Sequence, residues 1–132
     1  MGDIMTSREL FESALALVGT DTTIDDSLQE YAVKWINLAM AEMFNAENSI
    51  RLNTGKKEMM SPLRVNDLDE EIPYDPRFYA AFTYYLAHWI YKDDRELSFA
   101  QEMYNRFATE VKEHTMYIPD KIVDVYWGDT DA

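Results

Sequence analysis

The chain has 132 residues, of which 47% are hydrophobic, so one compact domain of ordinary size is expected. It contains no cysteine, which excludes disulfide bonds and thiolate metal sites. The formal net charge of −13 argues against a nucleic-acid-binding protein, because duplex DNA is bound by dense clusters of lysine and arginine.

The first periodic segment predicts a helix near the N-terminus. Thr6 can cap this helix while Glu9 reaches back to the cap, and Gly19 supplies a stop signal. The opening sequence MGDIMTSRELFES has neither a basic region nor an apolar core of signal-peptide length. We therefore expect no export signal and a protein that stays in the cell that makes it.

A second helix is predicted to open near Thr23, with Asp25 and Asp26 at the positive end of its dipole. Its pattern continues to about Gly55 and suggests one long helix over residues 25–53. Apolar residues recur along it at helical spacing: Leu28, Tyr31, Ala32, Trp35, Ile36, Ala39 and Met43.

The third predicted helix carries an unusual number of aromatic residues and spans residues 75–94. Asp75 is a good N-cap, and Pro76 suits the first helical position. The apolar run over residues 78–91 is too short to cross a bilayer, so no membrane contact is predicted. A helix that is apolar on nearly all sides is normally surrounded, which places this one at the centre of a bundle.

The fourth predicted helix follows the sequence KDD, with Asp93 and Glu96 as a capping pair. One of its faces is apolar and consists of Ala100, Met103, Tyr104, Phe107 and Val111. The sequence therefore predicts an all-α fold, a four-helix bundle domain over residues 1–116 with a long loop between helices 2 and 3.

Two segments do not fit a bundle. Residues 56–74 form a connection longer than usual, and connections of this kind tend to be functional or mobile. Three apolar residues in it are predicted to bind a partner: Leu63, Val65 and Leu68. Residues 117–132 are predicted to form an extended C-terminal arm, because Pro119 near its start should stop the fourth helix.

The arm is too apolar for a solvated tail. It could fold back onto the bundle, or it could dock on another protein, which exposed apolar surface of this kind usually indicates. We favour docking and predict partner-binding residues in the arm: Ile122, Val123, Val125, Tyr126 and Trp127.

Signatures of catalysis are missing from the sequence. His88 and His114 lie on different predicted helices without a metal-ligand pattern, so a structural role is favoured over a ligand or a general base. The acidic run over residues 67–71 lacks the glycine turn of a calcium loop and is interpreted as a solvated charge run. The aromatic residues at helical spacing indicate core rather than a cofactor pocket. No catalytic residue, cofactor or metal is predicted.

The order of these parts resembles a known family. The run WINLAMAEMFNAENSIRLNTG, then PLRVNDLDEEIPY, then an aromatic helix ending in KDD and a helix containing MYNRF, resembles bacteriophage head-to-tail adaptor (connector) proteins. The resemblance covers about residues 6–116 and rests on a pattern of helices and loop, not on catalytic motifs.

The resemblance implies a structural virion protein that is made in the cytoplasm of the host bacterium. Such proteins assemble as a ring, commonly of twelve copies, beneath the portal protein, where they extend the DNA channel and provide a platform for tail or nozzle proteins. A C-terminal segment commonly docks on the portal, which corresponds here to residues 117–132. The acidic composition suits a channel through which DNA passes without specific binding.

Two other readings of the sequence are retained. The first is a helical module that binds a peptide or a small ligand between aromatic helices without catalytic activity. The second is an enzyme that uses a buried carboxylate with His88, which a perturbed carboxylate beside that histidine would support. Binding to the portal protein without ring formation would favour the module over the adaptor.

Overall fold

A computed structural model describes residues 4–20 and 23–115 of the chain. These residues form helices α1 (Ser7–Val18), α2 (Asp26–Glu42), α3 (Phe44–Asn53), α4 (Tyr79–Asp93) and α5 (Leu97–His114), with a 3₁₀ turn at Pro76–Phe78 before α4. Within the described residues there is no β-strand, and Thr6 and Glu71 form an isolated antiparallel bridge. The prediction of an all-α fold is confirmed.

Helix α1 begins and ends as its sequence predicts. The Thr6 hydroxyl accepts a hydrogen bond from the Glu9 N–H, while the Glu9 carboxylate accepts one from the Thr6 N–H. This capping box satisfies amide groups that otherwise lack partners in the first turn of a helix. The helix ends at Gly19, whose φ of 84° is a left-handed conformation that glycine adopts without strain.

The predicted helix over residues 25–53 is divided into two. Asp25 caps α2 by accepting a hydrogen bond from the Leu28 N–H at 2.8 Å. At Met43, φ and ψ are −94° and 10°, which interrupts the helix before α3 begins. The single-helix prediction was wrong because neither proline nor glycine marks this position, so the apolar pattern runs through the break without a signal.

Helix α4 lies at the centre of the described structure, as predicted. It contacts α1, α2 and α5 and follows the 3₁₀ turn, where the Asp75 carboxylate accepts a hydrogen bond from the Arg77 N–H. The first turn is therefore 3₁₀ rather than α-helical. The buried side chains of α4 face its neighbours on several sides: Ala81, Phe82, Tyr85, Leu86, Ala87 and Ile90.

A tight turn joins α4 to α5. Asp93 is still part of α4, and Arg95 turns the chain with a φ of 63°, which is uncommon for a residue with a side chain. Glu96 precedes α5 but makes no side-chain hydrogen bond to it. The predicted capping pair of Asp93 and Glu96 is therefore wrong, because Asp93 still belongs to α4 and Glu96 directly precedes α5 instead of lying in its first turn.

Candidate partner-binding site

The long connection between α3 and α4 is held firmly on the helices. We call residues 56–75 the connecting segment. The side-chain amide of Asn37 donates to the Val65 carbonyl at 3.0 Å and accepts from the Val65 N–H at 2.8 Å. The amide of Asn48 binds Met59 in the same two-point manner, at 3.1 and 2.8 Å. Both asparagines are buried, so these bonds replace water for backbone groups that would otherwise be unpaired.

The start of α1 fixes the middle of the connecting segment. The Ser7 and Arg8 N–H groups donate to the carbonyls of Glu70 and Leu68, each at 2.9 Å. The Ile72 N–H donates to the Met5 carbonyl at 3.0 Å. The first turn of α1 thus finds partners for its free amide groups in a segment 60 or more residues later in the chain.

The end of the connecting segment is held by α2 and α3. The Tyr74 hydroxyl donates to the Met40 carbonyl at 2.6 Å. The buried Glu47 carboxylate accepts from the Asp75 N–H at 2.8 Å and pairs with Arg51 at 2.7 Å. Burial and the nearby Glu47 charge raise the pKa of the Tyr74 phenol, with Arg51 partly opposing them. The phenol therefore stays protonated and remains a hydrogen-bond donor.

Five exposed residues lie between the two asparagine anchors. We call residues 60–64, sequence MSPLR, the exposed loop. Met60 is 89% exposed and Leu63 is 37% exposed, although the residues that flank the loop, Met59 and Val65, are buried. An apolar loop whose ends are fixed presents the same surface continuously, which lowers the entropy lost when a partner binds.

The three predicted partner-binding residues of the connection have different positions. Leu63 lies in the exposed loop, whereas Val65 and Leu68 are 2% and 0% exposed and belong to the core of this chain. Their side chains are therefore already covered, and Leu63 is the one of the three that reaches the surface. Asn37 and Asn48 were missed, since the spacing along a sequence gives no signal for contacts between distant segments. The exposed Met60 was missed as well.

An open cavity of about 530 Å³ lies beside the end of the connecting segment. Its wall includes charged groups of α3, Glu47 and Arg51, together with Lys56 and two tyrosines, Tyr74 and Tyr79. Glu47 and Arg51 bind one another, and the Tyr79 hydroxyl accepts from the Met5 N–H at 3.0 Å. The polar groups here hold the fold, and the cavity also has room for a small ligand.

The aromatic residues form a packed cluster between α2, α4 and α5. Trp35 stacks on Trp89 with ring centres 5.9 Å apart and an angle of 7° between the planes. Tyr85 packs edge-on against Phe107 at 4.9 Å. Burial is the main cause that raises the pKa of the Tyr85 phenol. These contacts are those of a core.

His88 joins α4 to α5. Its Nδ1 lies 2.9 Å from the Ala100 carbonyl, and its ring packs on Tyr104 at 5.2 Å. In residues 4–20 and 23–115, no hydrogen bond or ion pair links it to a carboxylate, and no three His, Cys, Asp or Glu residues are grouped as metal ligands. The geometry is that of the structural histidine favoured from the sequence.

The acidic run after the exposed loop makes local contacts. The Asp67 carboxylate accepts from the Asp69 N–H at 2.8 Å, and Glu70 accepts from the Asn66 N–H at 3.0 Å. Asp69 lies 3.4 Å from Arg8 at the surface. These carboxylates are largely exposed and shape the turns of the connecting segment.

The predicted docking residues of the C-terminal arm, Ile122, Val123, Val125, Tyr126 and Trp127, lie outside the described residues. The whole predicted arm, residues 117–132, does so too.

Comparison with known proteins identified no relative. No family model, curated protein or solved structure matches this chain. None of the helices in the described part of the chain combines the length and the apolar character needed to cross a membrane.

Proposed function

We propose that this protein is a structural head-to-tail adaptor of a bacteriophage particle. In this proposal it forms a ring under the portal protein, extends the DNA channel and carries the tail attachment platform. The scaffold is a four-helix bundle in which α2 and α3 together act as one bent helix beside α1, α4 and α5. The host cytoplasm is the place of synthesis, and the head-tail junction of the virion is the place of function.

The observation that carries the proposal is the exposed loop with its two anchored ends. A connection of this length would be expected to move, yet Asn37 and Asn48 bind it at Val65 and Met59. The anchors are two buried asparagines, and the loop that they hold in place exposes Met60 and Leu63. A fixed apolar projection of this kind supports a protein whose role is to contact other proteins.

The C-terminal arm supplies the second contact in the proposal. Residues 117–132 contain two aromatic residues of the types that dominate protein interfaces, Tyr126 and Trp127. If the arm pairs with the portal as an extended strand, Val123, Val125 and Trp127 face one way while Ile122 and Tyr126 face the other. The portal can then bind the backbone and also contact the side chains.

Removal of residues 117–132 tests the proposal. The truncated protein should keep its helix content and melting temperature, measured by circular dichroism, and should no longer sediment with portal rings. The matched variant Trp127→Ala should weaken the attachment by about 2 kcal/mol, as expected for an interface hot spot. Full attachment of the truncated protein would contradict the docking role, and unfolding on truncation would make the arm part of the core.

One observation favours a second candidate function. The cavity of about 530 Å³ beside Arg51, Lys56 and Tyr79 has the size of a small-ligand site, which would suit a helical binding module without catalytic activity. The two functions differ in assembly. Each copy of a binding module would bind its ligand or peptide independently, and the copies would form no ring on the portal.

A further inference from the structure

The exposed loop and the residues just before it combine exposed apolar and positive side chains, with one exposed carboxylate, Glu58, among them. Residues 51–64 contain four of the 12 lysines and arginines but only one of the 25 acidic residues. Three of these cations are exposed, and two exposed apolar residues lie near them in the sequence. We call the five residues the loop patch: Lys56, Lys57, Met60, Leu63 and Arg64. Its three cations form no ion pair within the described residues. The loop patch is thus positive on a protein whose net charge is −13.

A second exposed surface has apolar and negative groups. It lies at the turn between α4 and α5, where Leu97 is 66% and Phe99 is 51% exposed. The carboxylates of Asp93, Asp94 and Glu96 are exposed around them. We call these five residues the turn patch.

The charges of the turn patch are unpaired within the described part of the chain. Two cations lie next to it. Lys92 is placed over the Trp89 ring at 4.9 Å, and Arg95 occupies the tip of the turn. The three carboxylates outnumber these two cations, so the turn patch remains negative on balance.

We propose that the loop patch of one copy of this chain docks on the turn patch of a second copy. Met60 and Leu63 then cover Leu97 and Phe99, while the lysines and Arg64 approach the carboxylates of Asp93, Asp94 and Glu96. Apolar contact supplies most of the stabilisation, and the charges select the orientation and speed the encounter. No hydrogen bond or ion pair of the described chain joins the two patches within one molecule.

A second copy fits the loop patch better than nucleic acid does. Phosphate would satisfy the three cations but would leave Met60 and Leu63 exposed, whereas a protein surface covers both kinds of group. The two patches are different, so the contact is head-to-tail. A head-to-tail contact closes into a ring if the rotation between copies permits it, and it forms an open chain otherwise. The inference therefore rests on the proposed function, since it assigns the contact between neighbouring subunits of that ring.

The absence of cysteine allows a direct test. The double variant Leu63→Cys with Phe99→Cys, oxidised at high protein concentration, should give a ladder of dimers, trimers and longer chains on a non-reducing gel. The matched control is Leu63→Cys with Leu17→Cys, because Leu17 is also exposed but lies on α1, outside both patches. We expect the first pair to crosslink about tenfold faster than the control at low salt, with the difference falling as salt rises.

Charge reversal provides a second, independent readout. When Lys56→Glu and Lys57→Glu are added to the Leu63→Cys, Phe99→Cys variant, its crosslinking rate should fall to that of the control pair. When Asp93→Lys and Asp94→Lys are added as well, the faster rate should return. Equal rates for the test pair and the control pair would overturn the inference, as would a loss that the second reversal fails to restore. Circular dichroism of each variant establishes that these surface changes leave the helices intact.

The same crosslinking on portal-bound protein separates the two proposals. A ladder from free protein that does not bind the portal would leave the contact between copies standing and would reject the adaptor role. A ring on the portal without a crosslink between positions 63 and 99 would leave the adaptor role standing and would reject this contact.

Discussion

At the scale of single residues, the two buried asparagines have the most specific role. Each uses both the donor and the acceptor of its amide on the backbone of one residue, Val65 for Asn37 and Met59 for Asn48. Asparagine suits this role because its side chain offers the same pair of groups as a peptide bond. A leucine in either place would pack well but would leave two backbone groups without partners.

Asn37→Ala should therefore destabilise the protein by about 2 to 4 kcal/mol, since it leaves a buried N–H and a buried C=O of Val65 unpaired. Urea unfolding followed by circular dichroism measures this difference. Asn105→Ala is the matched control on the exposed side of α5 and should cost less than about 0.5 kcal/mol. An equal, small effect at both positions would show that the anchor contributes nothing.

Stability should also depend on pH through the buried tyrosines. Burial raises the pKa of Tyr74 and Tyr85, and burial together with Glu42 raises the pKa of Tyr104. In the unfolded chain the tyrosine pKa is about 10. A phenol whose pKa is higher in the folded chain makes its full contribution to the free energy of unfolding below that pH, and the contribution is lost as the pH rises further. Stability should thus fall between about pH 10 and about pH 12.

Urea unfolding at about pH 8 and at about pH 11 measures this loss. The variant Tyr85→Phe keeps the ring that packs on Phe107 and removes the titrating hydroxyl, so its stability should fall less between the two values. Equal stability of the parent protein at both values would contradict the burial of the Tyr74 and Tyr85 phenols.

At the scale of the elements, the sequence predicted best where a local signal was present. The capping box at Thr6, the glycine stop at Gly19 and the central position of α4 all follow from local pattern, and all three are confirmed. The break at Met43 has no such signal. The turn at Arg95 was also missed, because its left-handed residue is an arginine and not a glycine.

The candidate site was predicted in outline only. The length of the connecting segment indicated a functional or mobile connection. Leu63, one of its predicted partner-binding residues, is exposed, as a contact residue must be. Val65 and Leu68 turned inward because the segment is bound by α1 and α2, and those contacts join residues 28 to 63 positions apart. Pairings at such separations depend on the folded arrangement, so hydrophobic pattern alone cannot distinguish an inward apolar residue from an outward one.

The aromatic packing between helices gives a prediction for the elements. Trp35 is buried against Trp89 and Phe11, so Trp35→Ala should cost about 3 to 5 kcal/mol through the cavity that it leaves. Leu38→Ala, on the exposed side of the same helix, should cost less than about 1 kcal/mol. Thermal melting compares the two variants, and unchanged melting for Trp35→Ala would show that the core is wrongly assigned.

At the scale of the whole molecule, the net charge of −13 governs the behaviour towards DNA. The protein has too few lysines and arginines to displace the counterions from the phosphates of duplex DNA. It should therefore not bind duplex DNA at physiological salt. A gel-shift titration tests this. Tight binding that weakens steeply with salt would contradict a surface along which DNA slides.

The adaptor role joins the exposed loop, the predicted arm and the acidic surface in one account, and a single measurement tests it most directly. Portal rings of the same phage are mixed with the full-length protein and imaged by electron microscopy. The account predicts an added, ordered ring of density on one face of the portal, with one copy beside each portal subunit. Portal rings that remain bare at saturating protein, or that bind scattered single molecules without ring order, would contradict it.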